Sequence, residues 1–254
     1  LKTEASIQIG FPKLAKAGSD RFFELLRLWV QDCEANHPNC HNASVPVLPT
    51  RLLDVGTIAS PRIRLIETQK EDLSITTYIA LSHMWGGTYS LYTTTGNLRD
   101  LMDYVPDSQI PQTFKDAIIC TRALGIRYLW IDALCIIYGA DGDFRTEAPR
   151  MEGVFSGAYC TLAASRASDS HSEFLGPRPE CDAVIFQRDT EERFYVSKSV
   201  DNFQGDIIEG ALNRRAWVLQ ERALARRTIY FAENQAYFEC GEGIRCETLT
   251  KMHK

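Results

Sequence analysis

Glu221 is the carboxylate with the least ordinary surroundings in this sequence. If the stretch Arg215-Ala-Trp-Val-Leu-Gln-Glu221 is helical, the residues three and four places from Glu221 are Trp217, Val218, Leu224 and Ala225, all apolar. A carboxylate on such a flank has no basic neighbour on its own helix, and burying it beside Trp217 is costly without a partner from elsewhere. Two readings follow: a structural ion pair with an arginine from another element, or a functional carboxylate perturbed in a cleft. Two apolar runs also end in polar groups. Tyr78-Ile-Ala-Leu leads into Ser82-His83-Met84-Trp85-Gly86-Gly87, and Tyr128-Leu-Trp-Ile leads into Asp132-Ala-Leu-Cys135. At the carboxyl ends of strands in an open α/β sheet, such residues are where ligands bind. Each has a plainer reading as well, His83 as a satisfied core histidine and Asp132 as a helix-start hydrogen-bond acceptor. Cys135 with His83 would form a thiol nucleophile only if the fold brought them within hydrogen-bond reach.

Cys33, His37, Cys40 and His41 form a fourth group, with Cys33 and His37 one helical turn apart and Cys40 just beyond Pro38. Tetrahedral zinc would need that set, with Cys240 or Cys246 as a further ligand. No C-x-x-C pair accompanies it, so these residues are read as buried thiols and no metal ligand is assigned. No dinucleotide turn of the G-x-G-x-x-G type, no phosphate loop ending in Gly-Lys-Ser/Thr and no G-x-S-x-G elbow occurs. Kinase, P-loop and ordinary serine hydrolase chemistries are thereby excluded.

The elements that must position these residues follow from periodicity. Phe22, Leu25, Leu26, Trp29 and Val30 make an amphipathic helical stripe after Ser19 and Asp20, ended by Pro38. Short extended segments around 52–55 and 63–66 complete an N-terminal helical extension, residues 1–70, packed on the core. From residue 71 to 254 the pattern alternates: strand 78–83, helix 113–124, strand 128–132, helix 147–156, strand 159–164, helix 213–225, and strands 228–231 and 236–240. Residues 166–210 interrupt this rhythm as an insertion with a β-hairpin, Val184–Gln187 against Phe194–Val196. The fold expected is α/β, a parallel sheet flanked by helices.

The chain has 254 residues, 44% hydrophobic and 24% charged, the composition of a globular protein rather than a disordered one. Its formal charge of −5 gives no footprint for a nucleic-acid backbone, so no nucleic-acid partner is expected. No apolar run reaches the roughly 18 residues that span a bilayer, and there is no N-terminal signal sequence. The chain reads as intracellular, its eight cysteines mostly buried thiols. It begins at Leu1, which reads as a piece of something longer.

Four segments together carry a family resemblance: YIALSHMWGG (78–87), IPQTFKDAIICTRALGIRYLWIDALC (110–135), residues 151–164, and RAWVLQE (215–221). Their order and spacing resemble the fungal heterokaryon incompatibility (HET) domain over about residues 78–240. The chain departs from the family pattern at His83-Met84, where an aromatic residue and Cys are usual, and at Ile137-Tyr138, where Gln commonly follows Cys-Ile. The resemblance implies a cytoplasmic effector of programmed cell death after non-self recognition, with the recognition module outside this chain.

The family is also distantly similar to Toll/interleukin receptor (TIR) domains, which implies a flavodoxin-like sheet and a mechanism. Many TIR domains hydrolyse NAD with the glutamate of a W-x-x-x-E helix, and Trp217-Val-Leu-Gln-Glu221 resembles that arrangement. On this resemblance Glu221 is the catalytic carboxylate, and Ser82, Trp85, Gly86 and Asp132 line the cleft. Trp85 or Trp217 would stack on a ring of the nucleotide, Gly86 would let backbone approach a phosphate, and Arg215 would pair with one. NAD or a related nucleotide enters as substrate, with no resident cofactor expected. The alternative is a non-enzymatic module that signals by TIR-like homo-oligomerisation, and an active homo-oligomer is expected for the enzyme too.

Overall fold

The first helix begins where Ser19 caps it, the serine side chain accepting the backbone N–H of Phe22 at 3.3 Å. This helix, α1 (Asp20–Asn36), buries Phe22, Phe23, Leu26, Trp29, Val30 and Cys33. Trp29 stacks on Phe238 with ring centroids 6.1 Å apart, and Phe22 lies 6.2 Å from Phe231. Pro38 cannot continue an α-helix, and the chain turns there through a 3-10 turn, Pro38–Cys40. The computed structural model describes residues 15–41, 48–70, 77–87, 91–179, 183–187, 193–197, 200–248 and 251–252.

The remaining elements follow in order: β1 (Arg51–Asp54), β2 (Arg64–Glu67), β3 (Ile79–Ser82), β4 (Thr93–Thr94), α2 (Leu98–Asp103), α3 (Gln112–Ala123), β5 (Tyr128–Trp130), α4 (Asp132–Cys135) and β6 (Ile137–Tyr138). After them come α5 (Phe144–Glu147), α6 (Met151–Gly157), β7 (Cys160–Ala163), β8 (Ala183–Gln187), β9 (Arg193–Ser197), α7 (Ala216–Leu224), β10 (Arg227–Phe231), β11 (Ala236–Cys240), β12 (Gly243–Cys246) and β13 (Lys251–Met252). The helix expected at 147–156 is divided, because Pro149 falls in a 3-10 turn between α5 and α6.

Among the described residues nine strands form one sheet in the order β13-β12-β11-β10-β7-β3-β5-β1-β2. The four central strands β10, β7, β3 and β5 are mutually parallel, and taken in chain order they lie 2-1-3-4, the flavodoxin-like doubly wound order. Right-handed crossovers then place α3 on one face and α6 and α7 on the other, where these two pack together. The architecture is α/β, as the alternation of helix and strand implies.

At both edges the sheet is antiparallel, which the expectation of a parallel sheet did not include. The turns joining β10 to β11 and β11 to β12 are far shorter than the dozen residues a parallel crossover requires, so the chain can only fold back on itself. On the other side, β1 pairs antiparallel with β5 and carries β2 outside it. Residues 51–67, read from sequence as part of an extension, thus supply outer strands of the same sheet. The hairpin of the insertion forms as expected and makes its own two-stranded sheet.

The larger core cluster joins α1, α3 and the apolar sides of the central strands, including Phe114, Leu129, Ile79 and Leu162. A smaller cluster holds Phe203, Ile207, Leu212, Val218, Tyr230 and Tyr237, seating the start of α7. The described cysteines are all buried free thiols. Among the described residues no helix is long and apolar enough to cross a membrane.

Candidate active site

The polar residues singled out in the sequence meet beyond the carboxyl ends of the parallel strands, beside the point where strand order reverses between β3 and β7. Ser82 is the last residue of β3 and pairs in register with Ala163 of β7. Asp132 follows β5 by one residue and opens α4. Its Oδ1 accepts the Ala133 N–H at 2.7 Å, and its Oδ2 accepts the Trp85 indole N–H at 2.7 Å. Asp132 therefore fills the helix-start role weighed for it, and through Trp85 it also ties together the ends of two strands.

His83 is buried, with Nδ1 3.7 Å from Asp132 Oδ1. Its ring lies nearly parallel to Trp85 at 6.4 Å between centroids and meets the edge of Phe114 at 5.1 Å. Burial lowers the imidazole pKa against the opposing pull of Asp132, which keeps the ring neutral at pH 7. Tyr138 packs edge-on against Trp85 at 5.0 Å.

Arg215, with extended backbone, is the N-cap of α7. The Arg215 guanidinium donates to the carbonyl oxygen of His83, fixing the start of α7 to the end of β3. On the helix Val218 turns inward while Trp217 and Leu219 are 53% and 67% exposed. Glu221, one turn beyond Trp217 and three residues beyond Val218, is carried toward the strand ends beside Ser82. It forms no ion pair among the described residues; the neighbouring Arg222 takes Glu239 instead, at 3.0 Å. Burial raises the Glu221 carboxyl to about 7, opposed by the Ser82 hydroxyl, reinforced by the negative charge of Asp132 and opposed in turn by Arg215. The structural ion pair weighed for Glu221 is not formed among the described residues.

Three buried polar atoms in this one cluster have no hydrogen-bond partner among the described residues: Ser82 Oγ, His83 Nε2 and Glu221 Oε2. Most buried polar groups are satisfied, so three such atoms in one neighbourhood single this cluster out as the candidate site. The arrangement offers a carboxylate that titrates near neutrality, a hydroxyl, a neutral imidazole and an arginine, framed by an indole.

The remaining sequence candidates lie as follows. Gly86 has φ +77°, and a Cβ placed there would lie 2.3 Å from the Cβ of Asp169, so the close approach that Gly86 permits is filled by Asp169. Trp217 lies on the outer side of α7 and takes no part in the cluster. Cys135 is buried, burial pushes its thiol up to about 12, and among the described residues no hydrogen bond joins it to His83, the contact that the thiol-nucleophile reading required. The sequence reading missed Asp169 and Ser170. Ser170 Oγ donates to the Trp85 carbonyl at 3.4 Å, while Asp169 Oδ1 accepts the backbone N–H groups of His171 and Ser172. Ser168-Asp-Ser-His-Ser172 signals a turn from its composition, but nothing in it signals which strand end that turn will cover. A cleft of about 180 Å³ lies at the opposite, amino end of the strands, lined by Glu34, Tyr159, Arg226 and Arg227 among others, and shares no residue with the Glu221 cluster.

No curated protein and no solved structure matches the chain. A family model described as heterokaryon incompatibility protein (HET) matches residues 78–221, a span that begins just before β3 and ends on Glu221. Since that match takes in more than half of the sequence and the whole Ser82, Asp132 and Glu221 cluster, the chain belongs to the heterokaryon incompatibility (HET) family.

Proposed function

We propose that this HET-family protein is a cytoplasmic effector of programmed cell death in heterokaryon incompatibility, acting by hydrolysis of NAD at the nicotinamide–ribose bond. Family membership supports the incompatibility role. The observation that carries the chemistry is Glu221, half-buried with its Oε2 shielded from solvent and no ion-pair partner among the described residues, raised to about 7 near the unsatisfied Ser82 Oγ and His83 Nε2.

In this reaction the glycosidic C–N bond breaks with its electron pair passing to the pyridine nitrogen, so nicotinamide departs as a neutral base and needs no general acid. The ribose passes through an oxocarbenium-like state, as in glycoside hydrolysis. The Glu221 carboxylate, held in a site of low dielectric, stabilises the developing positive charge or holds the ribose hydroxyls. Water adds at the anomeric carbon and releases a proton to solvent. Asp132 keeps the indole of Trp85 in place as a stacking surface, and Arg215 supplies positive charge for a phosphate. The test is nicotinamide release from NAD by the purified chain, wild type beside Glu221→Gln: turnover by wild type alone supports the reading.

A second reading rests on the outer side of α7, where Trp217 and Leu219 are exposed. On this reading a second copy of the chain covers them and the protein signals by self-association without turnover. It predicts concentration-dependent association that Trp217→Glu abolishes, and toxicity that survives Glu221→Gln.

A further inference from the structure

Away from the Glu221 cluster, four side chains from the two ends of the chain converge. Cys33 sits in the last turn of α1, His37 follows its end, Cys40 closes the 3-10 turn, and Cys240 ends β11. One ligand atom from each, three sulfurs and an imidazole nitrogen, lies within 4.8 Å of all the others. Cys240 Sγ is 3.4 Å from His37 Nδ1. From this convergence we propose that the four residues bind one zinc ion in a closed, structural Cys3His site.

The local chain geometry explains how the set is assembled. Helical spacing puts Cys33 and His37 on one face, and the His37 backbone N–H still donates to the Cys33 carbonyl at 3.0 Å. Pro38 then stops the helix, and the Cys40 N–H donates back to the His37 carbonyl at 2.9 Å, folding the third ligand beside the first two. The fourth comes from the hairpin between β11 and β12. A Cβ added at Gly241 would sit 3.3 Å from Cys40 Sγ, so the glycine leaves room for Cys40 to approach Cys240.

The donor set selects the metal. Three thiolates and one imidazole are soft-to-borderline ligands in the number and type that tetrahedral Zn²⁺ takes. With Zn–S bonds of about 2.3 Å, tetrahedral sulfurs lie about 3.8 Å apart, so the present spread needs only a small contraction. All four positions are filled by protein, which is the pattern of a structural site rather than a catalytic one. On binding, the three thiols release their protons to solvent, giving a centre of net charge −1. Arg227 answers that charge, its Nε donating to Cys33 Sγ at 3.3 Å. Thiols that merely pack would need neither this arginine nor an imidazole nitrogen aimed at a sulfur. The two other residues considered with this group in the sequence do not join it: His41 contacts the Glu34 carbonyl, and Cys246 lies against Thr248 and Asp201.

The site would fasten α1 to β11 of the sheet, and all of its ligands lie outside residues 78–221, so it stands independently of the Glu221 reading. The test is zinc content of the whole chain purified under reducing conditions, read by elemental mass spectrometry. About one zinc per chain is expected, lost in Cys40→Ser and in Cys240→Ser and kept in Cys120→Ser, which alters a buried thiol outside the set. Because a ligand variant that fails to fold also loses zinc, the wild-type chain is in addition stripped with a chelator and titrated with Co²⁺. Tetrahedral thiolate coordination then gives intense visible d–d bands and sulfur-to-cobalt charge transfer that saturate at one equivalent. Wild-type protein with zinc far below one per chain and no such cobalt spectrum would overturn the proposal. So would a disulfide joining two of the three cysteines in the reduced preparation.

Discussion

Glu221 combines two properties that a purely structural residue would not need together: a carboxylate with a buried oxygen and no ion pair among the described residues. Its proton affinity gives the sign of two effects. The folded-state pKa, about 7, lies above the ordinary glutamate value of 4.5, so the folded protein binds the proton more tightly than the unfolded chain does. The stability this supplies is complete below about pH 4.5 and is lost as pH rises through 7, a change on the order of 3 kcal/mol. Glu221→Gln removes the ionisation and is expected to raise the unfolding free energy at pH 8 by roughly 1–3 kcal/mol, measured by urea denaturation. A fall in stability would instead show an ion pair at Glu221. Catalysis needs the ionised form, so kcat for NAD hydrolysis is expected to rise with pH through about 7 and then level off, a profile read from initial rates across the range. The apolar flank of Glu221 was legible in the sequence because it depends only on helical spacing. Its juxtaposition with Ser82 was not, since that depends on how α7 docks against β3, and periodicity carries no docking information.

The turn after β3 and the helix before the sheet show how elements hold this site. Gly86 adopts φ +77° with Asp169 pressed against the place of its missing side chain. Gly86→Ala meets both strain and a clash, and is expected to destabilise the protein by about 1–3 kcal/mol and to disturb Trp85, seen as a shift in its fluorescence. At α1, Trp29 is almost fully buried against Phe238. Trp29→Ala is expected to cost about 3–5 kcal/mol in denaturant unfolding, whereas a peripheral extension would lose far less. α1 and α3 were readable to within a residue or two, because Ser19, Pro38 and Gly125 punctuate clean apolar stripes. The antiparallel edges were not. An apolar strand looks the same whichever way its neighbour runs, and only the shortness of the turns around β11 decides the direction.

At the scale of the molecule, the doubly wound centre places Ser82, His83, Asp132 and Glu221 at the carboxyl ends of the parallel strands, where a fold of this order binds its ligands. The antiparallel strands on either side complete the sheet without contributing to that cluster. The exposed Trp217 and Leu219 on α7 give the molecule an apolar spot on the outer side of the helix that carries Glu221, so a partner docking there would bear on the element that holds the carboxylate. Trp217→Glu is therefore expected to lower any association seen by sedimentation, and to lower turnover with it if assembly sets the position of α7. The most direct test of the central claim is nicotinamide release from NAD at high protein concentration, wild type beside Glu221→Gln, with the products separated by chromatography. Release by wild type, reduced about a hundredfold or more in a folded Glu221→Gln protein, is the predicted result. Equal rates in the two proteins, or no release by wild type even when it is held in an oligomer, would contradict it.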